Sequence, residues 1–224
     1  MKASIFLICA LYSLTVFATP NNAIWENEIL IGVNSDNYYT IRTCKYLTGT
    51  YYHDIDSIFL IEKELSSGAI IDKIVLRVID HKDSTANGDW QHKELIENPI
   101  NLIEYQKNKH MEIAYQGNYF DSKFDFLRDG LFINYRNGKE LIVDKTYLDK
   151  YIDWYSEYIQ YQEEYSDDID FRIKVALAYE TRTHMFLVVE SGSDHCDMDF
   201  RQSILVIDKN KYRTAKQNIV KRKN

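Results

Sequence analysis

The 224-residue chain has the composition of an ordinary globular protein, with 45% hydrophobic and 27% charged residues. Its two prolines and eight glycines exclude collagen-like and low-complexity classes. Its formal net charge of −7 argues against nucleic acid as a partner, because phosphate binding requires a basic face. The charge is uneven, since residues 209–224 contain basic side chains and no acidic one. We expect this basic tail to be solvated, to fold back on the domain or to contact an anionic surface.

The first predicted element is an export signal over residues 1–18. Lys2 supplies a positive start, an uncharged apolar run follows, and Ala18 is a small residue at the expected cleavage position. The run is short for a bilayer span of roughly 20 residues, and an uncleaved membrane anchor is the alternative. Cleavage leaves one globular domain (19–208) and the tail (209–224), with no stable membrane span. We expect the mature protein in a bacterial periplasm or outside the cell.

The first third of the chain predicts antiparallel hairpins. Turn-forming residues at 34–37 and at 66–68 separate runs of mostly apolar residues. The apolar residues in these runs are nearly continuous, which is typical of strands that are covered on both faces. Further on, the segment from Lys93 to Lys107 is compatible with one short helix, interrupted near the proline of Asn98–Pro99.

The segment from Asp83 to Glu94 resembles the calcium-binding loop of EF-hand proteins. Gly88 falls at the sixth position, where such a loop turns sharply, and Glu94 falls at the twelfth, which supplies a bidentate carboxylate. The flanking segments do not predict the helices of an EF-hand. The alternative is a polar connection whose side chains stabilise turns. The candidate calcium ligands are Asp83, Thr85, Asn87, Asp89 and Glu94.

The second half of the chain predicts a hairpin, a long helix and further strands. Asn137–Gly138 is the strongest hairpin signal, because a type I′ turn requires two residues that tolerate positive φ, and it predicts that Ile133 faces Ile142. A long amphipathic helix follows over about 146–165, with Thr146 as its cap. The whole order predicts an α+β fold with a mostly antiparallel sheet and this one long helix.

An aromatic stripe on the predicted helix is the candidate binding surface. It lies roughly 100° around the helix from the aliphatic face, and aromatic side chains with polar tips suit contacts with proteins, peptides or sugars. The alternative is that this flank packs under the sheet or a loop. The candidate binding residues are Tyr147, Trp154, Tyr158 and Tyr161.

Cys44 and Cys196 are the two cysteines that remain after signal cleavage. An even count in an exported chain predicts a disulfide between them, and two free buried thiols are the alternative. Common catalytic templates, such as Gly-x-Ser-x-Gly, His-Glu-x-x-His and the phosphate-binding glycine loop, do not occur. The sequence thus favours an exported, non-catalytic domain that binds a protein or a small ligand, without a cofactor other than calcium. The alternatives are an exported hydrolase with a carboxylate site and a calcium-stabilised structural domain.

Overall fold

The computed structural model describes residues 23–47, 53–83, 90–116, 123–135, 138–164, 172–192 and 200–221. The predicted export signal at 1–18 lies outside these residues. Strands make up 62% of the structure and helices 21%, so the fold is mostly β. The predicted α+β fold with one long amphipathic helix is therefore wrong.

The described part of the chain contains twelve strands and four short helices. The strands are β1 (Ala23–Val33), β2 (Asn37–Leu47), β3 (His53–Glu64), β4 (Ile70–Asp83), β5 (Trp90–Glu97), β6 (Tyr115–Gln116), β7 (Lys123–Leu127), β8 (Gly130–Tyr135), β9 (Gly138–Asp144), β10 (Arg172–Glu180), β11 (His184–Gly192) and β12 (Phe200–Asp208). The helices are α1 (Leu102–Asn108), α2 (Lys145–Tyr151), α3 (Tyr155–Glu164) and α4 (Lys209–Lys221).

Nine of the strands form one mixed sheet in the order β5-β4-β3-β2-β1-β12-β11-β10-β6, and β7-β8-β9 form a separate sheet. The central pair, β1 and β12, is parallel and is joined only where Trp25 faces Phe200 and Glu26 faces Arg201. All other neighbouring strands in the described part are antiparallel. The sheet therefore consists of two antiparallel halves that meet at a short parallel contact.

The predicted hairpins are confirmed, and one of them has a different register. β1 and β2 flank the turn at 34–37, and β3 and β4 flank the turn in which Gly68 adopts a φ of 71°. β8 and β9 form the third hairpin, but Ile133 faces Glu140 and not Ile142. The pairing of Tyr135 with Gly138 explains the difference, because Gly138 belongs to β9 and not to the turn, which shifts the partner of Ile133 by two positions.

Two short helices replace the predicted helix at 146–165. Asp144, and not Thr146, caps the first of them, by accepting a 2.8 Å hydrogen bond from the Tyr147 backbone N–H. The helix ends where Ile152 adopts φ −122° and ψ 88°. In a continuous helix Ile152 and Trp154 would point to nearly opposite sides, because successive residues turn by about 100°. The break allows both of these side chains to enter the core.

The short helix and the basic tail of the sequence analysis both have counterparts in the structure. The segment from Lys93 to Lys107 forms the end of strand β5 and then helix α1, with Asn98–Pro99 between them. The N-cap of α1 is Asn101, whose side chain accepts a hydrogen bond from the Glu104 N–H. The first part of the basic tail is helix α4, which packs against the core through Tyr212 and Ala215.

Candidate protein-interaction face

The inner face of the nine-stranded sheet is the face that α2 and α3 cover. Trp154 donates a 3.0 Å hydrogen bond to Ser203 of this face, and the Tyr151 hydroxyl donates one of 2.6 Å to the Leu65 carbonyl. Burial decreases along the inward-facing side chains of β2, from the fully buried Tyr38 to Tyr46, which is 49% exposed. The cover provided by the helices thus ends part of the way along the strand.

A buried ionic cluster lies where the helical cover ends. Glu28 of β1 is almost fully buried, and one of its oxygens accepts hydrogen bonds from Thr40 (2.7 Å) and from the Lys63 ammonium (2.6 Å). The other oxygen accepts a 3.2 Å hydrogen bond from Arg42, which the register places directly opposite Glu28. The cluster therefore joins β1, β2 and β3 at the edge of the core, and a carboxylate with these partners can remain ionised there.

The ionic cluster keeps the Glu28 carboxylate ionised and the Arg42 guanidinium charged. Burial by itself raises the pKa of Glu28, but the positive charges of Lys63 and Arg42 hold that pKa below its ordinary value. Burial lowers the pKa of Arg42, and the nearby Glu28 carboxylate more than offsets this and raises it. Burial and the same carboxylate raise the pKa of Tyr38, whose ring centroid is 5.7 Å from the Lys63 nitrogen. The site is an ion-pair network with a neutral phenol beside it.

From the ionic cluster onward, no helix of the described part of the chain covers the strands, and we call this part the open sheet. It consists of residues 24–29, 42–46, 54–59, 74–81 and 93–97. Cross-strand partners share a face, so the register assigns its apolar side chains to the two faces. On the inner face several of them are only partly buried, namely Ile24, Ile55, Phe59, Val75 and Val78.

The outer face of the open sheet exposes large apolar side chains as well. Trp25 is 46% exposed and Ile29 is 52% exposed, and both point outward from β1. Ile29 faces the partly buried Ile41 of β2, and the ring of Trp25 lies 6.2 Å from that of Phe200. Apolar side chains therefore occur on this face of β2, β1 and the start of β12, with the exposed Asn27 between Ile29 and Trp25.

Helix α1 covers the other end of the outer face. Glu62 anchors it there by accepting hydrogen bonds from Asn37 (2.7 Å), Tyr39 (3.0 Å) and Lys109 (2.7 Å), the residue that follows the helix. The rings of Tyr39 and Tyr105 meet edge to face at 6.2 Å. Each face of the sheet thus has a cover at one end, and the open sheet lies beyond both covers.

The open sheet also ends in an exposed edge. In the described part of the chain no strand pairs with the outward side of β5, whose other side pairs with β4. Leu95 and Ile96 of this strand are exposed. Unpaired backbone groups beside apolar side chains are suited to adding a strand from another chain. The candidate protein-interaction face thus consists of the side of β5 that is unpaired in the described part of the chain and of the exposed apolar side chains on both faces of the open sheet.

The predicted aromatic binding residues have a different position. Trp154 and Tyr158 are buried, and their rings contact each other at a centroid distance of 5.0 Å. Tyr147 is only partly buried, and its hydroxyl donates a 2.9 Å hydrogen bond to the Val206 carbonyl. The side chain of Tyr161 lies outside the described part. The aliphatic and aromatic sides of this segment thus both enter the core, which the break between α2 and α3 makes possible.

The predicted calcium ligands fall on a hairpin between β4 and β5. Thr85, Asn87 and Asp89 lie outside the described residues, as does the side chain of Asp83. Glu94 pairs with Ile79 in the ladder, four residues below the Asp83–Trp90 pair, which corresponds to about 13 Å along the strand. Its carboxylate accepts a 2.7 Å hydrogen bond from Arg77. The structure therefore directs Glu94 toward a salt bridge and away from the loop.

Cys44 lies on the inner face of the open sheet, opposite Glu26. Its thiol donates a 3.5 Å hydrogen bond to the Glu26 carboxylate. Burial and the negative charge of Glu26 raise the pKa of this thiol to about 12, so that the reduced form stays protonated at neutral pH. No disulfide occurs among the described residues, and Cys196 lies outside them.

A metal site and a membrane-spanning helix are two other features that could have indicated a function. The described residues contain no group of three or more His, Cys, Asp or Glu side chains placed to hold a metal ion. None of the helices in the same part of the chain is long and apolar enough to cross a membrane. No protein-family model, no curated protein and no solved structure matches the chain.

Trp25 and Ile29 are not among the binding residues predicted from the sequence. The sequence feature that concerns them is the series of nearly continuous apolar runs in the first third, which predict strands covered on both faces. The structure provides that cover for β11 and β12, where Met185–Val189 and Ile204–Ile207 are all buried. It does not provide it for the open sheet. The open sheet is thus identified as a candidate interaction surface because its apolar strands are predicted to be covered on both faces and yet expose large side chains.

Proposed function

We propose that this protein is an exported, non-catalytic domain that binds another protein through the open sheet. The observation that carries the proposal is the exposure of Trp25 and Ile29 on β1, in the same open sheet that ends, four strands away, at the unpaired side of β5 in the described part of the chain. Contiguous apolar surface on a folded protein commonly marks an interaction site, because its removal from water favours association. The partner would supply the cover that α1, α2 and α3 give to the rest of the sheet.

The two buried carboxylates whose pKa values are shifted, Glu28 and Glu62, support a binding role over the alternative of a hydrolase with a carboxylate site. Such an enzyme needs titratable groups with displaced pKa values that face a cleft. Burial raises the pKa of Glu62, but its hydrogen bonds from Lys109 and Tyr39 lower it below the ordinary value, as Lys63 and Arg42 do for Glu28. Both carboxylates have all their oxygens engaged by partners that join secondary-structure elements. We therefore assign them a structural role.

Export is the part of the proposal that rests on the sequence. The uncharged run after Lys2 and the small residue Ala18 favour a cleaved signal, and the absence of Asn-x-Ser/Thr acceptors after it favours a bacterial periplasm. N-terminal sequencing of the protein from fractionated cells is expected to begin near Thr19. An intact N-terminus in a cytosolic fraction would rule out export.

The Cys44–Cys196 disulfide belongs to the same proposal. Cys44 faces Glu26, and Glu26 faces Arg201 on the next strand, so the Cα atoms of Cys44 and Arg201 are about 10 Å apart. The chain between Cys196 and Arg201 spans at most about 17 Å when extended, which is sufficient for the bond. The bond would tie β2 to the start of β12 beside the short parallel contact.

Site-specific photo-crosslinking in the compartment where the protein resides tests the proposed interaction. A photoreactive amino acid at position 25 or 29 is expected to capture a partner protein. Ile113 is the matched control, because it is an exposed isoleucine outside the open sheet. A product of twice the monomer mass would identify a second copy of this chain as the partner. Equal capture at position 113, or none at positions 25 and 29, would contradict the proposal.

A further inference from the structure

A second candidate site is a cleft between β9, α2 and α4. Its volume is about 320 Å³, which is within the range of small-molecule sites, roughly 300–1,000 Å³. Three separate elements form its walls, so the cleft depends on the tertiary fold. The lining residues are Leu141, Ile142, Val143, Asp144, Thr146, Tyr147, Lys150 and Lys211.

The aromatic wall of the cleft is fixed before any ligand arrives. The hydroxyl of Tyr147 donates to the Val206 carbonyl at 2.9 Å, and its ring packs against that of Tyr151 at a centroid distance of 5.0 Å. The Lys211 ammonium lies 4.5 Å from the centroid of the Tyr147 ring. The cation–π contact restrains this ammonium at the cleft, which lowers the entropic cost of using it to bind a ligand.

The polar groups of the cleft favour an anion. Within the described part of the chain, Lys150 and Lys211 form no ion pair, and both residues line the cleft, where the Lys211 ammonium contacts the Tyr147 ring. The one carboxylate of the lining, that of Asp144, accepts the Tyr147 N–H as the cap of α2. The exposed hydroxyl of Thr146 adds a further donor. The lining therefore has two positive charges against the single negative charge of Asp144, and this excess favours an anion.

The cleft also has an apolar wall. Leu141 is 43% exposed, and the neighbouring Ile142 and Val143 continue the same strand. A ligand that covers Leu141 while its anionic group lies between the two lysines would satisfy both parts of the lining. We infer that this cleft binds a small organic oxyanion, in which a phosphate, sulfate or carboxylate is carried on a compact apolar group.

Titration with phenyl phosphate, followed by amide NMR shifts, tests this site in the full mature protein. We expect saturable shifts at Leu141, Val143 and Tyr147. Lys150→Ala and Lys211→Ala are each expected to weaken binding about tenfold, as for the loss of one charge-assisted hydrogen bond. Lys216→Ala is the matched control, because it removes the same charge from an exposed position of α4 outside the cleft and is expected to leave binding unchanged. Thermal melts of all three variants check that each one folds.

The oxyanion could be carried by a soluble molecule or by a lipid headgroup, and a second arm separates these sources. Vesicles of phosphatidylcholine with and without phosphatidylserine are sedimented with the protein. Binding of phenyl phosphate that depends on Lys150 and Lys211 supports a soluble ligand. Binding to the anionic vesicles alone, with the same dependence, supports a headgroup. Binding of neither probe, or equal weakening by Lys216→Ala, would overturn the inference.

Discussion

Glu28 and Lys63 form a buried salt bridge of 2.6 Å that spans the intervening strand β2, with only 4% of the Lys63 side chain exposed. The pair lies at the limit between the part of the sheet that the helices cover and the open sheet. Removing Glu28 leaves the Lys63 ammonium without its carboxylate in the interior, and removing Lys63 leaves Arg42 as the remaining cation beside Glu28. Either loss costs more than the pair itself contributes. The pair therefore lies between the hydrophobic core and the open sheet.

The first prediction concerns this pair. Lys63→Met is expected to lower the free energy of unfolding by about 3–5 kcal/mol, because Glu28 loses its nearest cation. The double variant Lys63→Met with Glu28→Leu is expected to recover part of the loss, since neither charge of the pair is then buried alone, while Arg42 loses its carboxylate partner. Denaturant unfolding of the three proteins measures this. Equal losses in the single and the double variant would contradict the ion-pair account.

The second prediction concerns acid stability. The pKa of Glu28 is lower in the folded protein than its ordinary value of 4.5, so its contribution is fully present above that value and is lost as the pH falls through the folded pKa. Between pH 5 and pH 3 the wild type is expected to lose more stability than Glu28→Gln, by on the order of 1–2 kcal/mol. Thermal melts across this interval test it. Parallel curves for the two proteins would show that Glu28 does not titrate in this way.

The third prediction concerns the break between α2 and α3. Trp154→Ala is expected to lower the free energy of unfolding by about 3–5 kcal/mol, because the side chain is buried and bonded to Ser203. Ser203→Ala removes only the hydrogen-bond acceptor and is expected to cost about 1–3 kcal/mol. A melt of Trp154→Ala within 0.5 kcal/mol of wild type, roughly the effect of a surface substitution, would instead place this side chain at the surface.

Part of this architecture could be predicted from the sequence, and the rest depends on long-range contacts. Turn residues such as Gly68 act locally, so the hairpins follow from the sequence. The break between α2 and α3 does not follow from the sequence, because Ile152 and Trp154 are both acceptable in a helix. Burying both side chains becomes favourable only through their contact with the sheet beneath them. A continuous helix therefore predicts the aromatic stripe at the surface. The uncovered positions of Trp25 and Ile29 are likewise unpredictable, since local pattern does not reveal which apolar strand receives a helix.

The fourth prediction concerns the cysteines. A digest of the exported protein under non-reducing conditions is expected to contain the Cys44 and Cys196 peptides joined. Cys44→Ser is expected to cost on the order of 5 kcal/mol in the chain-entropy model, because the closed loop exceeds 100 residues. In reduced protein the Cys44 thiol is expected to react slowly at neutral pH, since its pKa is about 12. Rapid labelling of Cys44 in the protein as isolated would contradict the disulfide.

The most direct test of the central claim is a comparison of Ile29→Asp with Ile113→Asp. Both residues are exposed, at 52% and 71%, so each variant is expected to remain within about 1 kcal/mol of wild-type stability. The partner captured from position 25 is used to measure binding to each variant. Ile29→Asp is expected to weaken that binding at least tenfold, about 1.4 kcal/mol, while Ile113→Asp leaves it unchanged. Unaltered binding by a folded Ile29→Asp protein would contradict the assignment of the open sheet as the interaction face.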